Sequence, residues 1–193
     1  MRRVCYNNVS ECVIKGAKPM KKLRKMLGDV RSMECEQMMR LIETQSTITL
    51  SRFAAACVRD NVLPLLENRA GASTPCHAAL DAVQKHLDGQ LAVRELRPIL
   101  KSAREYAASL SEPVSLAAAR AIATAAAVIL TPTNALGFLF YLCAARAYAL
   151  YGTDRDDMFY DRFARDEFLR AQEALLAVSV QDEPNKARIQ WTC

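Results

Sequence analysis

Apolar positions recur with a helical period along most of the chain, and the period disappears where nearly everything is apolar. Residues 121–145 contain no charged side chain, small residues dominate, and Thr131, Pro132, Thr133 and Asn134 interrupt the run at its middle. A segment apolar on every side must be buried on every side. The interruption predicts two core helices within 113–151, packed closely because alanine and Gly137 let backbones approach. Ser111 or Ser115 is expected to cap the first, and Thr131 or Thr133 the second. A membrane span is the competing reading, since 25 uncharged residues exceed the roughly 20 that cross a bilayer. Alanine's weak hydrophobicity and the polar residues at the midpoint argue against it.

Around this pair the pattern predicts further helices. From Pro19 to Val30, Leu23, Met26, Leu27 and Val30 share one face, while Lys18, Lys21, Lys22 and Lys25 share another. Such a basic amphipathic helix either binds a membrane surface, nucleic acid or an acidic partner, or docks its apolar face on the domain. A short helix follows over 32–45, with Met38, Leu41 and Ile42 inward, and then a longer one over 49–68. Pro64 should break or kink the latter near 60–64, because its ring removes a backbone donor and clashes one turn back. Thr74 and Pro75 read as cap and first residue of a helix that Gly89 stops. A helix from about Arg94 carries Leu96, Leu100, Ala103 and Ala107, and the last runs from about Asp154 to Val178. Tyr141, Tyr148 and Tyr151 line one side of the second core helix, and the tail after 180 is polar and loose, with Trp191 a candidate anchor.

Composition changes this picture in two places. The net charge of +5 is uneven: residues 1–40 hold ten Lys/Arg against four Asp/Glu, so the basicity belongs to the N-terminal part. The seven cysteines form no CxxC pair and have no regular spacing, which reads as reduced thiols in a cytoplasmic protein. No signal peptide is apparent, and Met20, Met26 and Met33 are alternative starting methionines.

Candidate chemistry is sparse. Asp154, Asp156, Asp157, Asp161, Asp166 and Glu167 gather at the start of the last helix, without calcium-loop spacing or its glycine. Acids there meet the positive end of the helix dipole, and Arg155, Arg162 and Arg165 are expected to neutralise them. His77 and His86 are nine apart on one helix and cannot jointly hold a metal. Cys76 and His77 are sequence neighbours and do not face each other. No nucleophile elbow, phosphate loop or zinc-protease motif is present. Catalysis, a metal and a cofactor are therefore not expected. Nucleic-acid binding would rest on 15–31 alone, with no interleaved aromatics, and the sequence argues against it.

The order and spacing of three stretches carry a resemblance. These are the Ala54, Cys57, Val62, Leu63, Pro64 run, the Pro75 helix ending at Gly89, and Ala103-Arg104-Glu105 followed by the alanine-rich segment, with Leu175 and Leu176 closing an arginine-rich last helix. Over roughly residues 38–177 the chain resembles the small, alanine-rich, all-helical immunity proteins of bacterial polymorphic toxin systems. The first 32 residues lie outside it. Members of that family often carry histidines in the alanine-rich helices; here Thr124, Val128 and Thr133 occupy that region and no histidine follows His86. This departure fits a binding protein more easily than an enzyme.

The expectation is thus an all-α fold: a single-domain helical bundle around an alanine-rich buried helix pair, with a basic arm over 1–32, a helical domain over 33–180 and a polar tail over 181–193. The resemblance implies a cytoplasmic, non-catalytic protein that occludes a cognate protein toxin. Its expected partner-binding face is Asp154, Asp156, Asp157, Asp161, Asp166 and Glu167, with no membrane involvement and homo-oligomerisation left open. A nucleic-acid-associated protein using the basic arm, and an enzyme or small-molecule binder with a pocket between core helices, are the alternatives.

Overall fold

Ser32 opens the helical part of the chain in the computed structural model, which describes residues 23–71 and 73–191. Its hydroxyl accepts the Cys35 N–H at 3.2 Å and caps α1 (Met33–Glu43), whose buried stripe is Cys35, Met38 and Ile42. Ser46 does the same for α2 (Thr47–Asn61) by accepting from Thr49. The chain breaks at Val62 and restarts as α3 (Leu63–Ala70) with Pro64 in its first turn, where the missing N–H costs nothing. Then follow α4 (Thr74–Leu87) and α5 (Val93–Ser109). The core pair is α6 (Pro113–Ala126) and α7 (Asn134–Tyr151), joined through a 3₁₀ turn over Ala127–Ile129, and α8 (Asp157–Val178) ends the series. Among the described residues β pairing is confined to one isolated bridge between Ser46 and Lys186, so the fold is all-α as expected.

At the centre lie α6 and α7, which form the most extensive helix pair. Ala117, Ala118, Ala121 and Ala125 of α6 are buried on several faces at once, as are Phe138, Leu142 and Ala145 of α7. A Cβ added at Gly137 would lie 3.7 Å from Thr124 of α6, an ordinary contact distance that marks how near the two backbones run. Around α6 sit α2, α3, α4 and α5, while α8 covers α7 and α1 rests on α8. Among the described residues no helix is long and apolar enough to cross a membrane.

Local expectations of three kinds need correction, the first being helix caps. Glu112, not a serine, caps α6: its carboxylate accepts the N–H groups of Val114 and Ser115 and the Ser115 hydroxyl at 2.6–3.1 Å. A longer side chain reaches the same orphan donors as a serine. Partial burial opposes its charge, but those hydrogen bonds and Arg69 prevail and hold its pKa below the ordinary value. No side chain caps α7, and Thr74 is already helical.

The second correction concerns the predicted helix over 19–30, which is not helical over its described residues, 23–30. Here the chain is a strap laid across α7 and α8. The buried Leu27 donates its N–H to the Phe140 carbonyl at 3.0 Å, and Tyr148 donates its hydroxyl to the Arg24 carbonyl at 2.5 Å. Gly28 has φ +118°, and a Cβ there would stand 3.1 Å from the Phe140 ring and 3.2 Å from Phe168. Glycine therefore permits both the turn and the close approach. Third, the tail is docked through residue 191. Ala187 donates to the Gln45 carbonyl, Glu183 accepts from the Ser46 N–H and from the hydroxyls of Ser46 and Thr49, and the Trp191 indole donates to Glu43 at 2.6 Å.

A candidate partner interface at the α7–α8 corner

The six acids expected to form one face divide by environment. Glu167 is buried, turned into the bundle and ion-paired with Arg146 at 3.1 Å and with Arg170. Desolvation pushes its carboxyl above the ordinary value, against the pull of the two guanidinium groups. Asp161 is paired at 2.7 Å with Arg24 of the strap. Asp156 caps α8 by accepting the Phe159 N–H at 2.7 Å and still has an exposed side. Asp157 is half-buried, and its charge reaches Tyr148. Asp154 and Asp166 are exposed. The arginines engaged are thus Arg24, Arg146 and Arg170, in place of the expected Arg155, Arg162 and Arg165. Arg155 instead lies over the Phe159 ring at 5.4 Å.

What sequence reasoning missed is the apolar centre among these acids. Tyr151 at the end of α7 meets Phe159 and Phe163 of α8 edge-on, with ring centroids at 5.0 and 5.7 Å. The corner is fixed from beneath: the Tyr160 hydroxyl donates to the Gly152 carbonyl and accepts the Arg155 N–H, and Tyr160 stacks edge-on against Tyr148. Burial above all, then the neighbouring Tyr160, pushes the Tyr148 phenol up to about 12, so it stays a donor to the strap. On top, Leu150 (60 % exposed), Tyr151 (43 %) and Met158 (78 %) face solvent. Tyr151, Met158, Phe159 and Phe163 line a shallow concavity of about 410 Å³, with Asp156, Arg162 and Asp166 at its edge. Leu150-Tyr151 and Met158-Phe159 flank the Gly152–Asp156 turn in the sequence, and that bracketing was the available signal.

Elsewhere the chemistry is quiet. Cys57, Cys76 and Cys143 are free thiols, and burial raises Cys76 to about 12. His77 contacts Glu67 at 2.6 Å and His86 the Leu91 carbonyl at 2.7 Å. Among the described residues no three His, Cys, Asp or Glu side chains converge to hold a metal ion. A cavity of about 680 Å³ opens between the strap, the start of α7 and the tail, bordered by Met26, Gly28, Gly137, Phe140, Gln190 and Trp191. Of the basic arm, Lys15, Lys18, Lys21 and Lys22 lie outside the described residues.

Residues 40–172, most of the helical body and the greater part of the corner, match the family model described as Imm-5 like putative immunity protein. No curated protein and no solved structure matches the chain.

Proposed function

Because the chain belongs to the Imm-5 like immunity protein family, we propose that it acts by binding, occluding a cognate bacterial toxin through the α7–α8 corner without chemistry of its own. The observation that carries this reading is the exposure of Leu150, Tyr151 and Met158 above a packed ring cluster, with Asp156, Arg162 and Asp166 at the edge of the concavity and Asp154 exposed in the adjoining turn. Aromatic residues and methionine are enriched at interface centres, where water is excluded, while charged rims steer the encounter. The two parts call for a toxin surface with an apolar protrusion that fits the concavity, flanked by basic groups where Asp156 and Asp166 stand. The rigid α6–α7 pair serves this role indirectly, since a preorganised corner loses little entropy on binding. We place the protein in the cytoplasm, where its thiols stay reduced.

Affinity capture of the tagged full-length chain from its host tests this reading, with Met158→Arg captured in parallel. A stoichiometric protein held by the parent, toxic when produced alone, and bound at least about thirtyfold more weakly by Met158→Arg is the expected result. Asp154→Asn with Asp166→Asn should slow association and flatten its salt dependence. Those two acids are better probes than Asp156 or Asp161, whose replacement also removes a helix cap or the bond to the strap. Undiminished capture by Met158→Arg and Tyr151→Ala would move the interface elsewhere, and capture of no protein would end the toxin reading.

A further inference from the structure

The outer ridge of α2 is a surface that the corner does not use. Ile48, Arg52, Ala56 and Asp60 follow one another at four-residue steps and are all exposed, so they form one i±4 ridge along the helix. Arg52 and Asp60 carry opposite charges, and among the described residues neither side chain is in a hydrogen bond or ion pair; Arg52 feels Glu183 only through space, as Asp60 is felt at Cys57. The ridge residues Arg52, Ala56 and Asp60 form one edge of a groove of about 440 Å³ between α2 and the C-terminal half of α8, whose apolar lining is Phe53, Cys57, Ala174 and Val178.

The ridge is complementary to itself. Its two charges stand equally far on either side of Ala56, about 6 Å away along the axis at 1.5 Å per residue. A half-turn about an axis through Ala56 therefore brings Arg52 of one copy against Asp60 of the other, and the same pair forms again on the far side. We propose that this face pairs with a second copy of the chain across a twofold axis at Ala56. An isologous interface uses one patch twice, so every contact it makes is made twice. Alanine on the axis lets the two helices approach to the short end of the usual 8–10 Å range. With ridge against ridge, each copy also overhangs the mouth of the other's groove, which Arg52, Ala56 and Asp60 help to line. A partner of a different kind would need no such symmetry of opposite charges about a small residue. Met158 and Ala174 are sixteen residues apart on α8, roughly 24 Å, so the pairing leaves the α7–α8 corner open.

Sedimentation velocity of the full-length chain over a concentration series tests the proposal. The parent should sediment as a dimer that high salt weakens. Arg52→Asp and Asp60→Arg, each placing like charges opposite, should each raise the dimer dissociation constant more than about tenfold, and the two together should restore it. Both side chains are exposed in the monomer, so each variant should keep the parent's far-UV circular dichroism, and any loss of melting temperature should be the concentration-dependent part that dimerisation supplies. Ala56→Trp probes the same axis without changing a charge and should also give monomer. A parent that is monomeric at every concentration, single reversals that leave the dimer intact, or a double variant no better than the singles would overturn the proposal.

Discussion

Two guanidinium groups meet at Glu167. Arg146 also donates to the Asn61 side chain at 2.9 Å, and Asn61 in turn donates to the Cys57 carbonyl, so one buried carboxylate ties α8 to α7 and through it to the end of α2. Removing one partner from such a network leaves the others desolvated and unpaired, which costs more than the pair itself contributes. Glu167→Ala is expected to destabilise the protein by about 2–4 kcal/mol, lowering the melting temperature by roughly 5–10 °C in calorimetry. Glu167→Gln, which keeps an acceptor, should lose less than half of that. Gly28 is the other residue with no substitute. Gly28→Ala must adopt a positive φ while meeting the Phe140 and Phe168 rings, and about 2 kcal/mol of destabilisation is expected, with faster tryptic cleavage at Arg24 and Lys25.

At the scale of elements, helices with their own caps and stripes were legible in the sequence, and elements held by distant partners were not. Pro64, Ser32 and the apolar stripe of α5 are local signals, and each lies where the expected helix ends, begins or packs. The strap has the spacing of an amphipathic helix, yet its carbonyl and N–H groups bond to Tyr148 and Phe140, more than a hundred residues away. Nothing local announces such bonds. The acids at the start of α8 divide between surface and interior for the same reason: the arginines that meet Asp161 and Glu167 come from the strap, from α7 and from one turn further along α8. The tail has a pH dependence of definite sign. Partial desolvation works against the Glu183 carboxylate, but the bonds from Thr49 and Ser46 outweigh it and hold its pKa below the ordinary 4.5. Its contribution is full above that value and is lost as the pH falls through the depressed pKa. Emission of Trp191, the single tryptophan, should therefore shift to the red as the pH is taken well below 4.5, and Glu183→Gln should show the shifted emission already at neutral pH.

For the whole molecule, the uncharged run over 121–145 determined most of what could be foreseen. Helices apolar on every face have to sit at the centre, so a bundle around α6 and α7 follows from that stretch with little else. The surface is a different matter. Whether Leu150 and Met158 lie under a neighbour or in the open depends on where the other helices end, which no local period reports. The core is also packed largely with alanine, which has no rotamers to rearrange, so variation that changes binding is expected to collect on α2, the α7–α8 turn and the outer face of α8.

The strap and the tail have one more bearing on the architecture. Residues 24–30 and 190–191 border the same cavity, so the described backbone nearly closes into a ring. In a ring the order of the helices is a matter of where the chain is cut. The exposed turn at Gly89 and Gln90, between α4 and α5, offers another place to cut it, in a variant where a short linker from 191 to 23 replaces residues 192–193 and 1–22. The packing is thus compatible with circular permutation, and the contacts that define the bundle do not depend on α1 being made first.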